Sequence, residues 1–409
     1  MGIFRRKKKK EVREELPAAP FYPPWLESTS APMLLSTVYR CVDLISDSIA
    51  VLPLETYRID AEGFKSPMRD TEIFEILNLE PNEDMTRFVF FKVMAASMLL
   101  RGNAYAYIER ENNRVQQLIY IPSNHVSIEF LKIDGKKRKR YRVTGFDDYD
   151  LPALVDPQDM IHILNFSYDG AIGVSTLTHA RQTLGIASNS EAHASGFFKS
   201  GANMAGLLTI EGTRLTKEQK AQNYREWEAR TNPVTGSPNG VVILEGNQKY
   251  QPISVTPKDS QMLESRQHNV IEICRYFSVS PVKAFDLTKS SYATIEATQL
   301  EFLNDTLLPV ITRFETEFNR KIFLRAERKN MIAEFNTSVL LRTDKASQAE
   351  YWNTMFQIGA AKPNEIRREV NLSRVEGGDE TFVQVNVQPL KKAAAGNPDS
   401  TNITDDGTE

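Results

Sequence analysis

Apolar positions along the 409-residue chain fall into short periodic runs that can be read one after another. In residues 36–50, Val38, Val42, Ile45 and Ile49 recur at steps of four, three and four, which is one face of a helix. Residues 52–57 alternate as a strand does and lead into the turn Ala61-Glu62-Gly63. Two helices, 72–79 and 86–100, are predicted on either side of the breaker Glu80-Pro81-Asn82. Alternating runs at 104–110, 115–121, 125–133, 140–144 and 160–164 then predict strands, so the first region is α+β.

Beyond residue 174 the order of elements changes. A helix over 175–199 carries Leu177, Ala180, Leu184, Ala187, Ala194 and Phe198 near one face, and its many small residues let helix axes approach closely. There follow a strand at 204–211, a helix at 216–230 capped by Thr216, and strands at 240–245 and 250–255. These make a compact insert of about 55 residues, a length that loop-closure entropy penalises little. The chain returns to helix over 259–277, where Leu263, Val270, Ile273, Cys274 and Phe277 share a face. An irregular segment, 278–293, leads into a long amphipathic helix, 294–325, with Leu303, Leu307, Val310, Ile311, Phe314, Phe318 and Ile322 in register. Pro309 lies inside that helix, removes its bond to the carbonyl of Asp305 and costs roughly 3 kcal/mol in a regular helix, so a kink is predicted at 305–309. Helices at 344–356 and 364–370 close the folded part. The first 30 residues, a basic block followed by Pro17, Pro20, Pro23 and Pro24, and the polar tail after Pro389 cannot bury enough apolar surface to fold alone and are expected to be mobile.

Composition narrows the class. Hydrophobic residues make up 41% of the chain and charged residues 25%, which suits a folded, multidomain protein rather than a disordered or collagenous one. With 50 Lys+Arg against 53 Asp+Glu, the net charge is −3. A dedicated duplex-binding protein gains its sequence-independent affinity by neutralising phosphates and is basic, so this balance argues against one. The two cysteines, Cys41 and Cys274, form no CxxC pair and fit a reducing compartment. The basic start turns acidic at Glu11 with no apolar stretch behind it, so no signal peptide is read and the cytoplasm is expected. Gly2 lacks the Ser or Thr at position 6 that a myristoylation motif requires. The longest apolar run, 88–100, contains Lys92 and falls short of the about 20 residues that span a bilayer.

Catalytic signatures are missing. There is neither a GxxxxGK[ST] loop nor a GxGxxG fingerprint. Gly173-Val174-Ser175-Thr176-Leu177 lacks the second glycine of a nucleophile elbow, and Ser175 reads as a helix cap. His125, His162, His179, His193 and His268 never take a metal-binding spacing, and no cofactor or metal is expected. Two basic runs remain: 7–10, which suits an assembly tether, and 136–142, a hairpin tip that either touches nucleic acid or is simply solvated.

Six strings in this order resemble one family. They are Tyr39-Arg40-Cys41-Val42 with Ile49-Ala50-Val51-Leu52-Pro53; Leu100-Arg101-Gly102-Asn103-Ala104-Tyr105; Asp159-Met160-Ile161-His162; Gly196-Phe197-Phe198-Lys199-Ser200-Gly201-Ala202; Glu272-Ile273-Cys274-Arg275-Tyr276-Phe277; and Pro363-Asn364-Glu365-Ile366-Arg367-Arg368. Together, over about 30–380, they resemble the portal proteins of tailed bacteriophages, specifically the HK97-like group. Ser200, where many relatives have Asn, and Ser278-Val279-Ser280-Pro281, in place of Gly-Val-Pro-Pro, depart from the pattern.

The resemblance implies a non-enzymatic ring, usually of twelve subunits, at one capsid vertex, through which double-stranded DNA is packaged and later ejected. It implies an α+β, multidomain portal subunit in the following order: a basic, Pro-rich arm (1–30), an α/β wing (31–174), stem helices (175–200 and 258–277) around a small α/β clip (201–257), a channel loop (278–293), a kinked long helix returning to the wing (294–342), a helical crown (343–385) and a tail (386–409). Implied partners are other copies of the chain, the terminase large subunit on the clip, the major capsid or scaffold protein, a head-tail adaptor, and DNA without sequence specificity; no membrane is involved. Its place would be the virion, and the host cytoplasm during assembly. Lys283, Lys289, Ser290, Ser291 and Tyr292 are the candidates for DNA proximity. Glu218, Arg225, Glu226 and Arg230 are candidates for subunit or terminase contact, and Pro309 for the helix kink. The readings from other classes are a monomeric assembly adaptor or scaffold and a metal-dependent nucleic-acid enzyme.

Overall fold

The computed structural model describes residues 32–133, 135–146, 149–199, 206–210, 216–222, 225, 248–252, 259–285, 298–341, 345–370 and 372–382. The expected arm, tail, strand 240–245 and most of helix 216–230 lie outside these residues. The chain divides into a unit ending at Phe335 and a second beginning at Asn336.

The first unit is built on two packed helices, α1 (Ser36–Val51) and α3 (Arg87–Arg101), joined through β1 (Leu54–Ile59), β2 (Lys65–Pro67) and α2 (Glu72–Asn78). Val38, Val42, Ile45 and Ile49, the stripe read from spacing, are all buried. Thr71 and Thr86 cap α2 and α3 by accepting from Phe74 and Val89 N–H groups. Helix α3 ends at Gly102 in the left-handed region, φ +80°.

Sheet strands follow as β3 (Asn103–Glu111), β4 (Arg114–Ile121), β5 (Val126–Ile133), β6 (Lys136–Val143), β7 (Leu154–Val155) and β8 (Met160–Leu164). They form two antiparallel sheets, ordered β4-β3-β8 and β5-β6-β7. The basic run 136–142 is β6 itself rather than a hairpin tip. Cross-strand partners spread along it: Arg142 lies on Glu129 and Arg140 on Asp156, while Lys139 turns towards His162. A linear charge run cannot reveal carboxylates delivered by neighbouring strands.

Ser175 caps α4 (Thr176–His179) by accepting from Leu177 N–H, and its hydroxyl donates to Leu100 O, so it has a structural place. Helix α5 (Arg181–Lys199) leads to β9 (Gly206–Ile210), which pairs with β10 (Gln248–Pro252), and α6 (Asp259–Tyr276) follows. At the expected kink the structure has a π-helical segment, Phe302–Leu307, directly before α7 (Leu308–Lys321). Leu308 N–H reaches Leu303 O, five residues back, which resets the hydrogen-bond register just ahead of the N–H that Pro309 lacks.

Strand β11 (Met331–Phe335), which the sequence reading missed, pairs with β1 to give the order β11-β1-β2. Phe91, Phe314, Phe318 and Phe335 close the core beneath it, with Phe91 5.5 Å from Phe318 and 5.6 Å from Phe335. The second unit contains α8 (Lys345–Gln357) and α9 (Pro363–Glu369), the latter with its Lys362 N–H held by Glu365.

Candidate functional site

Three places tie the helices after residue 175 to the sheet-bearing part of the first unit. The first is the junction of α3, β3 and the turn before α4. Asn103 accepts from Gly173 N–H at 2.8 Å and donates to Gly173 O at 2.9 Å. Backbones touch there: a Cβ on Gly173 would lie 1.9 Å from Gly102 O, and one on Gly102 would lie 2.5 Å from the Val174 carbonyl carbon. The string Leu100-Arg101-Gly102-Asn103 is therefore the clasp that holds the start of α4.

His162 extends this clasp into a buried polar cluster. Its ring stacks on Tyr105 at 4.4 Å, its Nε2 lies 3.0 Å from Asn103 Oδ1, and its Nδ1 lies 3.1 Å from Lys139 Nζ and 3.2 Å from the Tyr141 hydroxyl. Because Asn103 offers an acceptor and Lys139 a donor, the ring is the neutral Nε2–H tautomer. Burial, then the charges of Lys139 and Lys321, push its pKa down to about 3, and burial brings Lys139 down to about 8. Folded His162 refuses a proton that the unfolded chain takes below its ordinary pKa of about 6.5, so this contribution to stability is full above that pH and is lost as pH falls towards 3. From about pH 7.5 to about pH 4.5 the chain is expected to lose about 2–3 kcal/mol more stability than its His162→Gln variant. Thermal melts across that range are the check, and parallel losses in the two proteins contradict it.

The second place joins α1 to α6. Cys41 and Cys274 are distant in sequence, yet both are buried and their thiols hydrogen-bond. That bond and burial raise the Cys41 pKa far above its usual value, so the Cys41 thiol stays protonated and packs between the helices. Tyr276 and Thr183 hydroxyls, 3.4 Å apart, link α6 to α5.

The third place frames residues 286–297. Before them, a 3-10 turn, Pro281–Ala284, ends at Phe285 with φ +65° and the ring exposed. Arg40 of α1 lies over that ring at 4.7 Å and donates to Lys283 O at 3.3 Å. Lys283 Nζ donates at 2.9 Å to Gln299, on the far side of the segment, and lies 5.6 Å from the centre of the Phe302 ring. Burial and the Arg40 charge lower its pKa. Thr306 in the π-helical turn donates to Ser278 O, so both flanks are bound to one another.

Of the residues singled out from sequence, Lys283 sits at the base of this frame, half-buried, while Lys289, Ser290, Ser291 and Tyr292 lie outside the described residues. Glu218 and Arg225 are exposed, on a helix whose Thr216 accepts from Gln219 N–H; Glu226 and Arg230 lie outside. Pro309 occupies the first turn of α7. Arg40, Gln299, Phe302 and His162 went unread as site residues: each acts through a partner 16 or more positions away. Among the described residues no group of three or more His, Cys, Asp or Glu could hold a metal, and no helix is long and apolar enough to cross a membrane.

Comparison with known proteins extends the picture. A sequence model of the family described as phage portal protein matches residues 36–371. The portal protein of Enterobacteria phage HK97 is 31% identical over 364 residues, covering 87% of this chain and 83% of that one. The probable portal protein of Streptomyces phage phiC31 is 27% identical over 350 residues, covering 84% and 76%. Among solved structures, an HK97 family phage portal protein from Corynebacterium diphtheriae is similar with a TM-score of 0.57 at 17% identity, over 76% of this chain and 96% of that one. A chain from the neck of an empty gene transfer agent particle, with C6 symmetry, is similar with a TM-score of 0.55 at 23% identity, over 86% and 93%. The structural likenesses establish the shared fold.

Proposed function

The chain belongs to the phage portal protein family, and from that membership we infer how the parts described above divide the work of a portal. It is the subunit of a ring at one capsid vertex through which the genome is packaged and ejected. In our reading the ring has twelve copies and performs no chemistry of its own, so the terminase motor supplies the force for translocation. Residues 31–174 form the wing, α5 and α6 are the stem, and 201–257 between them the clip; residues 343–385 form the crown.

The observation that carries this division is the frame around 286–297. A portal loop that meets moving DNA needs a base that does not move with it, and Arg40, Lys283, Gln299 and Phe302 supply one by binding both flanks. Lys283 spends its ammonium inside that base, so DNA proximity falls to Lys289, Ser290, Ser291 and Tyr292. Glu218 and Arg225, both exposed, are offered to the terminase large subunit or a neighbouring clip, together with Glu226 and Arg230 of the helix predicted from sequence. The capsid or scaffold protein and a head-tail adaptor complete the partners, and assembly takes place in the host cytoplasm. A near-neutral chain suits a conduit, because a strongly cationic wall would hold DNA by releasing its counterions and oppose sliding. Packaging by particles whose ring has a shortened 286–297 loop tests this reading.

A further inference from the structure

A cavity of about 720 Å³ opens where the C-terminal end of α7 meets β3 and the loop before β8, and its lining is strongly cationic. Arg110, Arg320, Lys321, Arg325 and Arg328 line it, against Asp159. Two of these cations are neutralised within the fold: Lys321 by Glu317 at 3.5 Å, and Arg110 by Asp159 at 3.2 Å. Arg320 is 71% exposed with only a 3.9 Å approach to the same Glu317, and among the described residues no carboxylate lies within 4 Å of Arg325 or Arg328. Arg110 Nη1 is buried without a hydrogen-bond partner among the described residues. The fold uses one edge of two guanidinium groups, Arg328 Nε donating to Phe323 O at 3.0 Å and Arg110 Nη2 to Lys321 O; the remaining donors of Arg328, with those of Arg320 and Arg325, line the cavity.

We propose that this cavity is a docking site for an acidic peptide segment of a partner protein, whose carboxylates are gripped by the guanidinium groups of Arg320, Arg325 and Arg328. Arginine forks match carboxylates in two parallel hydrogen bonds. A concave site receives projecting side chains, whereas the phosphates of a duplex lie on the outside of a stiff rod. Leu324, 39% exposed at the cavity, adds an apolar contact that a peptide can use. Position argues the same way and rests on the portal reading: Phe302, which lies by Lys283 at the base assigned to the channel loop, is at the opposite end of the helix that runs to Lys321, roughly 30 Å from the cavity at 1.5 Å per residue. If that loop faces the DNA, the cavity does not.

The test is fluorescence anisotropy on the assembled full-length protein with a labelled peptide alternating Glu or Asp with Leu. Inorganic phosphate and a short duplex serve as competitors, and Arg325→Glu/Arg328→Glu and Arg325→Gln/Arg328→Gln as variants. Saturable peptide binding that weakens about tenfold or more in both variants is expected, because each lost fork is a charge-assisted contact; neither competitor should displace the peptide at equal charge concentration. Unaltered peptide affinity in the variants overturns the proposal. So does a duplex that displaces the peptide and loses its own affinity in the variants, which makes the site a nucleic-acid contact; displacement by phosphate alone makes it a simple anion site. Ring formation, scored in the same samples, is expected to be unchanged, so a failure of the cavity proposal is separable from a failure of the portal reading.

Discussion

Gly173→Ala is expected to destabilise the first unit by about 3 kcal/mol or more, because the new methyl group would sit inside a backbone contact that has no room to relax. Its Cβ would lie 1.9 Å from Gly102 O and 3.1 Å from Asn103 Oδ1, so the clasp between α3, β3 and the start of α4 must open. In a unit of this size the melting temperature should fall by roughly 4–5 °C. The paired control is Gly185→Ala in α5, where nothing lies within 4 Å of the added methyl and the helix gains about 0.5–1 kcal/mol from replacing glycine. The same chemical change is thus expected to act with opposite signs at two glycines 12 residues apart. Equal melting temperatures for the two variants would remove the clasp from the account.

Replacing 287–296 by a short Gly-Ser linker should lower DNA packaging by about an order of magnitude while rings still form, if the role proposed for this segment is to meet DNA rather than to hold the fold. The design keeps Pro281–Phe285 with its Arg40 contact, and keeps Gln299 and Phe302, so both flanks remain bound to Lys283. A packaging assay scored by nuclease-protected DNA per particle, beside electron microscopy of the rings, separates the two effects. Unchanged packaging would sink the role given to Lys289, Ser290, Ser291 and Tyr292. Loss of rings would relocate the segment's importance to assembly.

Long periodic segments were legible from sequence because burial alone dictates them. The stripe Val38, Val42, Ile45, Ile49 and the run from Leu307 to Ile322 are buried as their spacing demands. Ser175 caps a helix, as read from the sequence, through a local bond. What stayed hidden depends on partners brought from far away. β11 is only five residues long, and its partner β1 lies more than 270 residues earlier. Lys139 reads as one of six positive charges, yet it lies against a neutral histidine, and two of its neighbours are bound to carboxylates. The two cysteines, unremarkable at positions 41 and 274, are in contact. Pro309 announced a disturbance, but the choice of a π-helical turn was set by tertiary packing, with Thr306 held on Ser278 O and Leu307 buried. The frame around 286–297 follows the same rule: Arg40 and Lys283 are 243 positions apart.

Each of these parts is assigned to a ring, so electron microscopy of the purified full-length chain is the most direct measurement. Annular particles with a central hole and near-twelvefold symmetry in class averages are the expected result. A chain that remains monomeric across the concentrations used for assembly contradicts it.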